Sequence, residues 1–583
     1  MKNTGVERTL QSRMPALPVV FLLLIVTAIT SHAQTKGAIT GRVVADDGSG
    51  MAGVTVALHP ATAQGGQGRS TTTDEDGNFR FTDLPSRPYG ISVFSTREYA
   101  QPPILTASGE RLYYRIGEHV RIALIRGGVI TGRVTNAGGE PVIGIQVIAT
   151  RVRDAEGRPL RTPSGSSQKM TDDRGVYRIY GLSPGAYIVV ANSNSNYSGG
   201  LTYYGETPTY HPSSTRDTAA EVTVAAGSEV SGIDIRYRGE PGHAISGRLS
   251  GADQAGSGAS MMVYLSSAAT GGSYDLRYID SSQGAAPFAL YGVADGEYDL
   301  TAERFIGRGD DGLVSQPRRI TVRGADVTGI ELKLTPRSSI AGKVVLDPAP
   351  QRCNEKNPPS LEEIVIQARR DDEYKAPLPS HLSFPRDATP DDKGEFLFKP
   401  VDPARYRLRV SLPGESLYLK SMTASSAAPA GGAGTAAGTD IARGGIQLKP
   451  GERLSGVTIK VAEGAASLRG KVAPQKEGAQ APAKMVVHLV PMETASADDV
   501  LRYAEVSAGR DGTFEFKNIA PGKYRILARP APDDDPIDRL PAPVAWDTNE
   551  RTKLRKAAEA LKIEIELKHC QRIVDQTVKY SIN

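Results

Sequence analysis

Apolar and polar positions alternate with period two in many short runs, and Gly, Pro, Asp and Ser separate the runs. Phe79-Arg80-Phe81, Tyr177-Arg178-Ile179 and Phe514-Glu515-Phe516 each put two large apolar side chains on one face and a charge on the other. That is the pattern of a strand buried on one side. Each follows a turn containing glycine, in Asp76-Gly77, Arg174-Gly175 and Asp511-Gly512, where Gly supplies the positive φ of a hairpin. A second turn comes next: Leu182-Ser183-Pro184-Gly185-Ala186-Tyr187, Ile519-Ala520-Pro521-Gly522-Lys523-Tyr524 and the looser Pro403-Ala404-Arg405-Tyr406. Pro fixes one φ and Gly takes the next position, so the chain reverses and the Tyr points inward. A closing strand recurs in Val230-Ser231-Gly232-Ile233, Val327-Thr328-Gly329-Ile330 and Leu454-Ser455-Gly456-Val457.

These runs belong to a repeat that opens five times with Gly-basic-aliphatic. The openings are Gly41-Arg42-Val43, Gly132-Arg133-Val134, Gly247-Arg248-Leu249, Gly342-Lys343-Val344 and Gly470-Lys471-Val472. The glycines lie 91, 115, 95 and 128 residues apart, a spacing that predicts one small domain per unit and is too long for a solenoid. About seven short strands per unit predict an all-β chain of tandem antiparallel β-sandwiches in the Ig-like topology class. The predicted spans are 34–126, 127–239, 240–336, 337–464 and 465–583. The third unit diverges, with Ser281-Ser282-Gln283-Gly284 in place of the acidic-Gly turn. Residues 424–440, nearly all Ala, Gly, Ser and Thr, read as a flexible loop of the fourth unit. Leu554, Ala557, Ala558 and Leu561 follow helical spacing behind a cap at Asp547 or Thr548, which predicts a short C-terminal helix. Alternation from Leu561 to Leu567 predicts the final strand after it.

The first 33 residues break the pattern. Lys2, Arg8 and Arg13 precede an apolar run of about 14 residues, and Ser31-His32-Ala33 has small residues where a signal peptidase reads. The segment reads as a signal peptide, with Gln34 as the mature N-terminus and an uncleaved anchor as the other reading. The chain is expected to be exported, extracellular, periplasmic or at the cell surface, with no stable membrane span once the segment is removed. Composition agrees with a turn-rich β protein: 62 Gly and 39 Pro, 6% aromatic and 39% hydrophobic residues in 583. With 69 Lys+Arg against 65 Asp+Glu, the net charge of +4 removes the electrostatic case for nucleic acid or an anionic membrane as partner.

The first unit resembles the carboxypeptidase regulatory-like domain, a transthyretin-like β-sandwich. Gly41-Arg42-Val43, Gly53-Val54-Thr55-Val56 and residues 73–81 (TDEDGNFRF) carry the resemblance. The second unit is similar through Gly144-Ile145-Gln146-Val147 and the stretch 171–185, the fourth and fifth through their first strand and aromatic hairpin, and the third only in part. The arrangement looks like large exported bacterial proteins built of such domains, related to collagen-adhesin repeats and to a carbohydrate-binding-like fold. The resemblance implies a non-catalytic, extracytoplasmic role without fixing a ligand.

Candidate chemistry is sparse. No histidine has the His-x-x-x-His or His-x-x-Glu spacing of zinc peptidases, so no metal, no cofactor and no catalytic residue is predicted. Gly181-Leu182-Ser183-Pro184-Gly185 has the letters of a hydrolase elbow, but it joins two strands and leads into no helix. Asp74-Glu75-Asp76-Gly77 and Asp391-Asp392-Lys393-Gly394 read as hairpin turns rather than calcium loops, and Arg308-Gly309-Asp310 as a Gly-rich loop. Lys343 and Lys471 stand where the other units have Arg, so they read as solvated rather than as isopeptide donors. The one aromatic cluster outside a strand pattern is Tyr197, Tyr203, Tyr204, Tyr210 and His211. Tyr203, Tyr204, Tyr210 and His211 are the candidate ligand-binding residues, stacking on sugar rings. Packing of that loop onto units two and three is the other reading. Cys353 and Cys570 are the only cysteines; a disulfide and two separate thiols both remain open. The expected function is a non-catalytic exported binding protein for a polysaccharide or an envelope protein. Its alternative is a purely structural, scaffolding envelope protein.

Overall fold

The computed structural model describes residues 36–580 apart from 63–66, 95–97, 103–111, 193–202, 204, 252–259, 270–272, 281–285, 306–311, 350, 356, 375–385, 426–437, 475–484, 510 and 531–542. The signal segment, Tyr197, Tyr204, Ser281-Ser282-Gln283-Gly284, Arg308-Gly309-Asp310 and most of the 424–440 loop therefore lie outside the described residues. The part of that loop that is described is paired: Thr423 and Ala424 face Asp440 and Thr439 as antiparallel strands.

From Lys36 onward the chain forms one compact unit containing five large apolar cores. Two sheets enclose the first core. Gly37–Val44 lies between Asn78–Leu84 and His119–Ala123, and Thr55–Pro60 lies between Arg69–Thr72 and Tyr89–Val93. The plan recurs around the later opening strands Gly128–Thr135, His243–Ser250, Ser338–Asp347 and Ala466–Pro474. The pairing is not purely antiparallel. Each opening strand has the aromatic strand as an antiparallel neighbour and the closing strand as a parallel one. Alternation along a single strand carries no information about the direction of its neighbour, so this was not readable from the pattern.

The opening glycine owes its place to those two neighbours. Gly41, Gly132, Gly247, Gly342 and Gly470 stand directly opposite Phe79, Tyr177, Phe288, Phe396 and Phe514 in the antiparallel register. On the other side a carbonyl of the closing strand points at the glycine. A Cβ would lie 2.3 Å from the Val120 oxygen at Gly41, and 2.1, 1.9, 2.4 and 2.0 Å from those of Ile233, Ile330, Val457 and Gln576 at the other four. In units two to five the closing strand carries one extra residue there, a β-bulge. Its left-handed residue is Gly232, Gly329, Gly456 or, in the last unit, Asp575 at φ +65°. The basic residue after each opening glycine is exposed in all five units, which places Lys343 and Lys471 in solvent.

The second turn ends in a repeated hydrogen bond. The hydroxyls of Tyr89, Tyr187, Tyr298, Tyr406 and Tyr524 each donate to the carbonyl four residues upstream, on Pro85, Ser183, Ala294, Asp402 and Ala520, at 2.6–3.1 Å. This is a tyrosine corner, with the ring in the core and its one polar atom satisfied. Burial pushes the Tyr187 phenol up to about 12. Ser183 serves here as a backbone acceptor, the role of Ala520 in the fifth unit.

Two expectations change, and the C-terminal helix forms as expected. In the third unit Leu313–Ser315 pairs with both Gly296–Phe305 and Val327–Pro336, so the two layers join into one eight-stranded sheet. The final strand is Arg572–Tyr580 rather than the 561–567 stretch; Glu564–Leu567 is an inner-sheet edge, and Cys570 lies in the turn between them. The 561–567 alternation was a strand signal, but the segment after it has Asp575 where the other closing strands have Gly, and the repeat is hidden. The helix is Thr548–Leu561, capped by the Asp547 carboxylate on the amides of Asn549 and Glu550. Leu554 and Ala558 pack on Val490 and Leu527, on the outer face of the fifth sandwich.

Gly41→Ala should cost about 3 kcal/mol or more, because strand backbone and ring must both move. Gly53→Ala, at φ +72° but with nothing within 4 Å of the new methyl, should cost only about 1–2 kcal/mol. Amide hydrogen exchange over residues 37–123 reads both, and equal costs would remove the close-approach account.

Candidate functional site

The described part of the tyrosine segment, Tyr203, Tyr210 and His211, packs on the second sandwich. Tyr203 is half-buried, lies edge-on to Tyr237 at 5.9 Å between ring centroids, and donates its hydroxyl to the Ile143 carbonyl at 3.1 Å. Tyr210 is 8% exposed and sits in an apolar cluster with Ile188 and Val190. Its strand, Thr209–Tyr210, extends the inner sheet beside Val190 and Ala191. His211 Nδ1 donates to the Asp234 carbonyl at 2.6 Å. The same segment docks on the third unit: Gly242 N donates to Gly205 O at 2.8 Å, and the Glu206 carbonyl closes on Gly292. Tyr210 is thus withdrawn from solvent, and Tyr203 and His211 are half-buried. Sequence reasoning chose them because the segment is polar and aperiodic; a two-residue strand leaves no period to detect.

The acidic turns are occupied by their own backbone. Asp74 Oδ1 accepts from the amides of Asp76 and Asn78, Asp172 Oδ1 from Arg174 and Val176, and Asp391 Oδ1 from Lys393 and Glu395, at 2.7–3.1 Å. The Asn78 and Val176 amides are the main cause holding Asp74 and Asp172 below the ordinary carboxylate range. Each of these aspartates lies three residues before the turn glycine. In the fifth unit Gly509 stands there, and Asp511 binds Thr513 instead. Among the described residues, no three His, Cys, Asp or Glu side chains are placed to hold a metal.

Buried charge collects at the junctions between sandwiches. Between the first and fourth, Arg115 Nη2 is 2.7 Å from Glu363 Oε2, with side chains 12% and 2% exposed. Ser86 adds a hydrogen bond to Glu363 Oε1 at 3.3 Å, Tyr113 one to Asp387 at 2.5 Å, and Asn357 Nδ2 one to the Ile116 carbonyl at 3.3 Å. Between the third and fourth, the Arg337 guanidinium is 2.6 Å from both Glu303 and Asp402. Between the fourth and fifth, Asn518 Nδ2 donates to the carbonyls of Gly414 and Leu417, and Lys517 and Arg572 both reach Glu415. The Arg407 guanidinium lies 4.6 Å from the Trp546 ring centre, a cation–π contact. Cys353 and Cys570 are joined as a disulfide with Cα atoms 5.3 Å apart, within the span such a bridge needs.

Behind this last junction lies the buried His488. Arg529 Nε donates to its Nε2 at 3.0 Å, so the ring proton sits on Nδ1, 3.5 Å from Glu505. Burial, reinforced by Arg529, depresses its pKa from 6.5 to about 3, and burial raises that of Glu505.

Residues 38–108 match the carboxypeptidase regulatory-like domain family, so the expected resemblance holds for the first sandwich. No curated protein matches the chain. Among solved structures, the Bacillus anthracis TIE protein is similar at 12% identity, with 51% of each chain covered and a TM-score of 0.14. The chain thus spans about half the length of that protein. GBS52, the minor pilin of Streptococcus agalactiae, is similar at 16% identity over 35% of this chain and 96% of that one, TM-score 0.19. BcpA, the major pilin of Bacillus cereus, is similar at 11% identity over 51% and 99%, TM-score 0.14. Scores this low transfer no property to the chain.

Tyr210→Ala should destabilise the second sandwich by about 2–4 kcal/mol, the cost of emptying a buried aromatic site. Hydrogen exchange in residues 185–192 reads it; unchanged protection would return Tyr210 to the surface. The second prediction concerns acid. The folded pKa of His488 lies below its unfolded value, so the unfolded chain takes up the extra proton between about pH 6.5 and 3. Its contribution to stability is complete above that window and is lost as pH falls through it. His488→Gln should flatten the acid loss of stability of the fifth sandwich, followed by denaturant titration between about pH 7 and 4; an unchanged slope would mean that His488 is not the responsible group.

Proposed function

We infer that the chain is a non-catalytic structural protein of the cell envelope or its exterior, a rigid multi-sandwich body that holds attached components at fixed separation. The observation that carries this reading is the clasp between the first and fourth sandwiches. Arg115 and Glu363, 248 positions apart, pair where water is excluded, and that fixes the arrangement of everything between them. A string of independent binding modules needs linkers that leave each module free; this chain buries arginine–carboxylate pairs at two of its junctions and a covalent bridge at a third. Export is supported by the basic–apolar start of the sequence and by the disulfide, which persists in oxidising compartments. Among the described residues, no helix is long and apolar enough to cross a membrane. The packing of Tyr210, and the half-burial of Tyr203, favour the structural reading over carbohydrate binding.

Small-angle X-ray scattering on the chain from Gln34 onward tests the reading. One compact, salt-independent particle is expected. Arg115→Ala, which strands Glu363 in the junction at a cost of about 3 kcal/mol, should increase the maximum dimension while leaving each sandwich folded. An extended, heterogeneous wild-type profile would overturn the rigid-body reading, and retention of wild-type protein on a polysaccharide matrix would restore the binding one.

A further inference from the structure

The disulfide lies beside the peptide link between the fourth and fifth sandwiches and has an acid–base group next to it. Arg453–Glu463 closes the fourth sandwich and Ala466–Pro474 opens the fifth, leaving Gly464-Ala465 as the link. Both link amides donate to the Ser416 carbonyl, at 2.8 and 3.0 Å, and the Gly464 carbonyl accepts from Cys570 N at 3.1 Å. The His569 ring abuts the link at Gly464. A Cβ at Gly464, where φ is +105°, would be 2.2 Å from His569 Cδ2 and 2.3 Å from Nε2. Its other nitrogen, Nδ1, is 3.2 Å from Cys570 Sγ. His569 is exposed and both cysteines are half-buried, so a small thiol can reach the bond. Cys570 itself holds φ at +56°, a conformation costly for a residue with a side chain. Around the ring, Glu463 next to the link is paired with Arg352 at 3.7 Å, and Lys568 precedes His569. On the far side Glu355 accepts from the Glu415 amide.

We propose that Cys353–Cys570 and His569 form a directed thiol–disulfide exchange site for small thiols, which releases the link between the last two sandwiches. Among the described residues only the Cys570 sulfur has an imidazole within hydrogen-bond distance, so Cys570 is the leaving group. An incoming thiolate forms a bond to Cys353 Sγ, the Cys353–Cys570 bond breaks, and its electron pair goes to Cys570 Sγ, which the protonated ring stabilises and then protonates from Nδ1. A second thiolate attacks the incoming sulfur and leaves Cys353 as thiolate. In sum, two thiols are oxidised to their disulfide and the protein bond is reduced. A leaving thiolate with a lowered pKa departs faster. Release frees the Cys570 turn, which is hydrogen-bonded both to the Gly464 carbonyl of the link and to the His569 ring. The reading does not depend on the structural role inferred above.

The test uses the oxidised chain from Gln34 onward, glutathione in excess, acid quenching, alkylation and mass spectrometry. Glutathione is expected on Cys353. His569→Gln should slow reduction roughly tenfold near pH 6 and leave it unchanged near pH 9, where an ordinary thiol ionises without help from a neighbour. The oxidised variant should melt with the wild type, since the side chain is exposed. Glutathione found on Cys570, the same rate for both proteins at both pH values, or a bond inert to glutathione would each overturn the proposal.

Discussion

A carbonyl of the closing strand aimed at a glycine of the opening strand sets the geometry of every sandwich in this chain. The contact leaves no room for a Cβ, since the nearest backbone oxygen would be 1.9–2.4 Å from it in all five units. In units one, two, four and five the opposing aromatic ring fills the other side of the same gap. With those three strands locked in register, the apolar positions of the opening and aromatic strands must face the second sheet, and the core follows from alternation. The tyrosine corner does the corresponding work at the far turn, fixing the angle at which the inner strand leaves. A small domain with one thin core has little stability to spare, and here the same two devices recur in each of the five.

These devices were legible in the sequence because they use residues with narrow roles. Gly41 and its four counterparts, the Pro-Gly turns and the corner tyrosines stood out as a repeat. The parallel neighbour did not, because strand direction leaves no trace in a two-residue period. Asp575 shows a different limit. It occupies the left-handed bulge position held by Gly232, Gly329 and Gly456, since a short polar side chain tolerates that region, and the substitution concealed the last strand. Tyr203 and Tyr210 mark a third. A polar setting suggested exposure, while two residues of strand pairing bury Tyr210 and one edge-to-face contact half-buries Tyr203, both tertiary effects.

The junctions were illegible for a simpler reason. Arg115 and Glu363 are ordinary charges in the sequence, and neither has a motif around it that announces a partner in another unit. Arg337, Glu303 and Asp402 are equally silent. Only the cysteines were few enough to suggest a pairing, and the tertiary structure had to decide it. Long-range contacts between units depend on shape and on which loops lengthen, and local pattern encodes neither.

The division between repeated and unrepeated residues then bears on function. Whatever recurs in all five units has a complete explanation in the folding of a single sandwich: the glycine, the aromatic residue opposite and the corner. Such residues cannot also distinguish one unit from the next. What belongs to one place alone is the Arg115–Glu363 clasp, the Arg337 pair, the tyrosine segment between units two and three, and the Cys353–Cys570 bridge with His569. Every one of these lies where two sandwiches meet. The chain has therefore put its individual chemistry into holding its units together, and a protein organised in that way acts through its arrangement as a whole, so the place to alter its behaviour is a junction and not a core.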